Sequence, residues 1–486
     1  MTAFLRLAAF ALCAVALAAR PALAQDAPDW STRPALGPAP AFTPPAVERY
    51  TLSNGLPVLF VAKPGVPVAQ VNLLVRTGSV DDGARDGLAR LATDMMDEGA
   101  GALSALELAD AIEFLGVRLG VGADRHHLQA SLWTPTSKLD ASLPLLADVA
   151  LRPTFPEADL ERVRTSTLTS LGQRADEPRA IASAALAQAL YGLEHPYGRT
   201  GEGSPEAIRA LTRDDLVAFH DRAVRPSNAA LVVVGALAWD ETRPRLEAAF
   251  GADAWPARPA PAPTAVRPPE AVGGRRVLLV DKPGAAQTVV RVARIGAARD
   301  TDDFHAIGVL NTILGGSFTS RLNQNLRERN GYAYGASSSF DFRPVPGPFV
   351  AAADVQTDVT AAAVAEFFHE LAALRQPVPG AELAKARDYR ALSYPAPFAT
   401  VGGTAARVGD LWLDGLPDDT FARYGADTRA VSEADLARVG ETYVTPEAVV
   451  VVLVGDRAAI EAGVRQLDLG PVEVVSVEDV LGPPSE

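Results

Sequence analysis

The sequence carries six histidines: His126, His127, His195, His220, His305 and His369. Imidazole is a common zinc ligand, and two on one helix share an ion when they stand one turn apart. No pair here has that spacing. His126 and His127 are adjacent in a stretch read as strand, where neighbouring side chains point to opposite faces. They are therefore not expected to share a metal. His195, ahead of Pro196, is read as structural. The one cysteine, Cys13, falls in an N-terminal leader. A chain that loses it has no disulfide, no thiol nucleophile and no thiolate metal site. No Gly-x-Ser-x-Gly elbow occurs, and Gly315-Gly-Ser-Phe-Thr-Ser320 lacks the Lys that a phosphate-binding loop needs.

The elements that would position any site are written twice. Val58-Leu-Phe-Val-Ala-Lys-Pro-Gly65 returns as Val277-Leu-Leu-Val-Asp-Lys-Pro-Gly284, and Arg76-Thr-Gly78 returns as Arg294-Ile-Gly296. Val224-Arg-Pro226 with Leu231-Val-Val-Val-Gly235 returns as Val444-Thr-Pro446 with Val451-Val-Leu-Val-Gly455. The offset is nearly constant and far longer than a solenoid repeat, so the pattern is a domain duplication. In the first copy, 58–61, 71–75, 119–122, 128–133 and 230–235 read as strands. Residues 88–96, 105–115, 139–151, 157–174 and 181–191 read as helices. The expected class is α+β, antiparallel strands on one side and helices on the other. The expected divisions are a first domain at 47–255, a Pro-rich solvated linker at 256–272 and a second domain at 273–475.

Of 486 residues, 48% are hydrophobic and 21% charged, and the formal net charge is −14. This is a globular composition, and its acidity argues against nucleic-acid partners and against binding to anionic lipid. In residues 1–24, Arg6 precedes an apolar run from Leu7 to Ala19, and Ala22-Leu-Ala24 closes the segment. That is the pattern of a secretory signal peptide, too short for a membrane span. Leu12 precedes Cys13 where a lipoprotein signal needs a small residue. A periplasmic protein with no membrane span is expected, with residues 25–46 as an extended leader.

The duplicated layout resembles the pitrilysin-type (M16, inverzincin) metallopeptidase family. So do Leu52-Ser-Asn-Gly-Leu-Pro-Val, Gly87-Leu-Ala, His195-Pro-Tyr-Gly, Pro226-Ser-Asn and Gly315-Gly-Ser-Phe-Thr-Ser-Arg-Leu. The resemblance covers about residues 47–470. It implies two homologous domains, each an antiparallel sheet packed with helices, facing each other across a chamber. It also implies a zinc site built on His-x-x-Glu-His after Gly-Leu-Ala, with a distant Glu as third ligand. The corresponding residues here are Arg90, Thr93, Asp94 and Ser170. A guanidinium has no lone pair for a metal, and a Thr hydroxyl is no general base. An Arg90–Asp94 helix pair is expected to fill the space.

The resemblance places a substrate-binding Arg and Tyr, seven residues apart, in the second copy, and both are kept as Arg327 and Tyr334. They imply hydrogen bonds to the peptide at and beside the scissile carbonyl. The implied protein is a zinc-free subunit of a heterodimeric M16 peptidase. It would carry no cofactor, lend Arg327 and Tyr334 to a zinc-bearing partner subunit, and bind peptide extended along a strand edge. The linker would let the two halves open to admit substrate. A stand-alone peptide-binding protein of the same fold is the alternative, and a peptidase with an unrecognised metal site is a third reading.

Overall fold

The computed structural model describes residues 42–259 and 262–483. The expected signal peptide, Cys13 and most of the extended leader lie outside the described residues.

The first sheet is formed by β1 (Glu48–Thr51), β2 (Pro57–Ala62), β3 (Val68–Val75), β4 (Arg118–Ala123), β5 (Leu128–Pro135) and β6 (Ala229–Gly235). Its spatial order is β1-β2-β6-β3-β5-β4. The second sheet is formed by β7 (Arg276–Asp281), β8 (Gln287–Ile295), β9 (Ala333–Phe340), β10 (Pro348–Gln356), β11 (Val450–Gly455) and β12 (Val472–Ser476). Its order is β9-β10-β8-β11-β7-β12. Five strands of each sheet correspond in order, so the written repeat is a repeated fold. The sixth differs: β1 adds antiparallel to β2 ahead of the first copy, whereas β12 adds parallel to β7 after the second.

The α+β class holds, but the sheets are mixed and not purely antiparallel. β6 lies parallel to β2, and β11 parallel to β7. The reason is positional. The last strand of each copy inserts between the first two, separating β2 from β3 and β7 from β8. Such a central strand is covered on both faces and needs an unbroken apolar run. Ala229–Gly235 and Val450–Gly455 are buried at every position.

The two faces have different owners. On β11, Val451 and Leu453 join the core beneath the second copy's own helices. The alternate residues Val450, Val452 and Val454 meet Ile181, Ala185 and Leu186 of the Pro178–Tyr191 helix, which belongs to the first copy. The exchange is reciprocal. The Val401–Leu413 helix of the second copy packs on β3 and β6, and a Cβ added at its Gly409 would stand 3.0 Å from Leu74. The two halves do face each other, but these helices fill much of the seam. Open space there includes a cleft of about 890 Å³ between Arg76, Arg125 and His126 on one side and Arg343 and Asp414 on the other. From Thr43 onward the chain forms one compact unit. The expected opening of one half against the other would tear apolar surface from both sheets.

The described residues of the 256–272 stretch form no helix or strand and are largely exposed, yet they are pinned. The Arg258 carbonyl accepts a hydrogen bond from the Ser227 hydroxyl (2.7 Å), the Arg267 carbonyl accepts one from His195 Nε2 (2.9 Å), and Thr264 bonds Asp81. Among the described residues no helix is long and apolar enough to cross a membrane.

Candidate functional site

The short helix Leu88–Asp94 carries three of the four positions where the resemblance puts zinc chemistry. Its start is set by Gly87, which has φ 88°, and by Asp82. The Asp82 carboxylate accepts from the Gly87 N–H (2.9 Å) and the Ala89 N–H (2.8 Å), capping the helix from outside its own turn. Burial pushes the Asp82 carboxyl up to about 7, against the opposing pull of the Ala89 and Gly87 N–H groups.

Each vacated position has a settled role. Arg90 Nε donates to Asp94 Oδ2 at 2.8 Å, forming the expected i,i+4 pair on the solvent side. Thr93 is buried, and its hydroxyl donates within the helix to Ala89 O (3.1 Å) and Arg90 O (2.9 Å). Ser170 is exposed on the Glu157–Gln173 helix. Zinc needs several convergent N, S or carboxylate O donors. Here Asp94 alone offers one, and a guanidinium already occupies it. These residues do not fit a zinc ion. Among the described residues, no three His, Cys, Asp or Glu side chains converge on a site that could hold a metal.

The helix neighbours β4, an edge strand of the first sheet. Gly120 and Gly122 lie on one face of that strand, and a Cβ added to either meets nothing within 4 Å. An open strand edge therefore runs beside the vacated helix.

In the second copy, Tyr334 lies on the edge strand that corresponds to β4, and Arg327 on the helical stretch just before it. Arg327 sits in a π-helical stretch, Gln324–Arg329, a conformation common where a side chain must be re-aimed. Its Nε pairs with Glu328 at 3.2 Å, and its guanidinium carbon lies 4.7 Å from the centre of the Phe318 ring. Tyr334 belongs to β9, the free edge of the second sheet, and is 93% exposed. A register break between Ala333 and Ala336 falls at this residue. Bulges of this kind turn a side chain out of the pleat. Tyr332, two residues earlier, packs against the core instead, and its N–H donates to Leu326 O (2.8 Å), which ties the π-helical stretch to the start of β9.

Sequence reasoning missed the support beneath this pair. Asn323 is buried; its Nδ2 donates to Phe318 O (2.6 Å) and its Oδ1 accepts from the Ala336 N–H (3.1 Å). Asn325, also buried, donates to Glu366 (2.7 Å) and Glu370 (2.7 Å). The available signal was two asparagines between the apolar positions Leu322 and Leu326, where a helix facing a core would carry none.

The histidines do not assemble. His195 is buried, accepts at Nδ1 from the Tyr197 N–H (3.0 Å) and holds the linker through Nε2. It is structural, as read. His220 bonds Ala150 O (2.9 Å), and His305 bonds Thr428 (3.1 Å). His126 and His127 require a correction. They lie in the turn between β4 and β5, not in a strand, because Asp124 accepts from both of their backbone N–H groups (2.7 Å each). Both line the interdomain cleft, His126 on Tyr197 Oη (2.7 Å) and His127 on Asp124 (2.8 Å).

With this geometry in hand, comparison with known proteins decides the family. Residues 57–200 match the insulinase-like peptidase family M16, and residues 210–389 match the peptidase M16 inactive domain. An uncharacterized zinc protease of Mycobacterium bovis is 30% identical over 305 residues, covering 63% of this chain and 68% of its own length. The chain belongs to the M16 family. A second relative, an uncharacterized zinc protease of Mycobacterium leprae, is 31% identical over 294 residues, and this chain spans 65% of its length. Among solved structures, a peptidase M16 inactive domain from Pseudomonas fluorescens superposes with a TM-score of 0.78 at 26% identity, covering 84% of this chain and 98% of that one. The two copies described above thus share an M16-type fold.

Proposed function

We propose that this chain is the zinc-free subunit of a divided M16 peptidase. One contrast carries the reading. The four zinc positions offer a single carboxylate donor, Asp94, already paired with Arg90, while Tyr334 stands exposed on a free edge strand and Arg327 half-buried on the helical stretch before it. A partner M16 subunit supplies zinc and its water. This chain supplies a guanidinium and a phenol to the carbonyl oxygen of the substrate, where negative charge develops as the tetrahedral intermediate forms. Donors fixed before the reaction stabilise that charge without reorganising, so their contribution falls on turnover. Peptide lies extended along an edge strand, gaining main-chain hydrogen bonds. The open edge of β4 and the bare face at Gly120 and Gly122 suit a strand laid alongside. The acidic chain is exported through residues 1–24 and works in the periplasm.

The interlocked halves support a chamber formed between two subunits instead of within one. The test is reconstitution. This chain, a zinc-bearing M16 subunit and their mixture are each assayed with a quenched peptide in the presence of zinc. Cleavage is expected only in the mixture. Cleavage by this chain alone would overturn the proposal. Peptide binding by this chain with no gain in the mixture would favour the stand-alone peptide-binding protein.

A further inference from the structure

The Gly315-Gly-Ser-Phe loop has no part in the function proposed above, yet it stands against Arg327. We infer that Phe318 is a positioning residue for Arg327, an inference that rests on the divided-peptidase reading. The guanidinium carbon of Arg327 lies 4.7 Å from the centre of the Phe318 ring, well within the range of a cation–π contact. Its carboxylate partner is the adjacent surface residue Glu328. A neighbouring surface carboxylate with freedom of its own does not hold a long side chain in one direction. A ring on a fixed backbone does.

The backbone of Phe318 is fixed. A Cβ at Gly315 would stand 2.2 Å from Ser338 N, and one at Gly316 would stand 2.9 Å from Asn311 Nδ2, so the loop is pressed onto β9 and the preceding helix. Asn311 and Ser338 close this contact with bonds of 3.0 and 2.7 Å. Asn323 then anchors Phe318 O and the Ala336 N–H together. One buried amide thus sets the loop bearing Phe318, the helical stretch bearing Arg327 and the strand bearing Tyr334 in a common frame. Phe318 is nevertheless 63% exposed. Leaving most of a phenyl ring in water is unfavourable, and this loop holds it where its face meets the cation.

The test compares Phe318→Leu, Phe318→Tyr, Arg327→Ala and the Phe318→Leu/Arg327→Ala double variant. Each is reconstituted with the zinc-bearing subunit, and kcat and KM are measured separately. Leu keeps apolar bulk but has no ring face, whereas Tyr keeps the face. Phe318→Leu is expected to lower kcat about two- to fivefold, with Phe318→Tyr close to native. The double variant is expected to be no slower than Arg327→Ala, because the ring acts through the guanidinium. A full effect at Arg327 with none at Phe318, or losses that multiply in the double variant, would overturn this inference alone. An Arg327→Ala chain with native turnover would overturn the divided-site reading and this inference with it.

Discussion

Asp82 shows how one buried carboxylate sets the geometry of a vacated site. It caps the helix where the zinc motif would stand, and burial raises its pKa from 3.8 to about 7. The folded chain therefore keeps a proton that the unfolded chain has released through that range. Asp82's contribution to stability is fully present below about pH 4 and is lost as pH rises toward 7. Relative to Asp82→Asn, which cannot titrate, the native chain is expected to lose stability across this window. Denaturant midpoints measured at several pH values check it; a constant difference between the two proteins would contradict it. The Arg90–Asp94 pair is different in kind. It is half-exposed, and Arg90→Ala is expected to cost about 0.5 kcal/mol or less. Much at this scale was legible. Arg90, Thr93, Asp94 and Ser170 could be read as too poor a donor set for zinc, because only Asp94 among them is a usual ligand type. The support from Asn323 and Phe318 could not be read, because it depends on which buried amide faces which strand.

At the scale of elements, strands and helices followed the apolar periodicity closely, and the resemblance supplied the register at Gly87-Leu88-Ala89. Gly87 has φ 88°, and a Cβ there would stand 2.8 Å from Gly203 Cα and from Ile208 Cδ1. Gly116 has φ 66° with nothing within 4 Å. Gly116→Ala should cost only the left-handed penalty of about 1 kcal/mol. Gly87→Ala adds a backbone clash and is expected to cost clearly more, read as a larger fall in melting temperature. Equal losses would show that the helix start yields easily. The placement of His126 and His127 was misread at this scale. The Asp124 side chain captures two backbone N–H groups and ends the strand, and hydrophobic pattern carries no signal for such a turn.

The whole molecule was the least legible. The sequence was read as strands on one side and helices on the other; the second cover, over the all-buried strands Ala229–Gly235 and Val450–Gly455, comes from the other copy, and no local signal announces it. Ile181, fully buried, belongs to the first copy in sequence and to the second sheet in space. Ile181→Ala is expected to cost about 2–5 kcal/mol and to shift one cooperative unfolding transition. Two resolved transitions in calorimetry would show the halves to be independent. The same interlock supports an active chamber formed between chains, and so makes the partner's presence the central question. The most direct measurement is turnover by the reconstituted pair with Tyr334→Phe in this chain, which removes one hydroxyl from an exposed side chain. If the site is divided, kcat falls on the order of 10²-fold while subunit association and melting temperature stay native. Native turnover with Tyr334→Phe would contradict a site shared between the two chains.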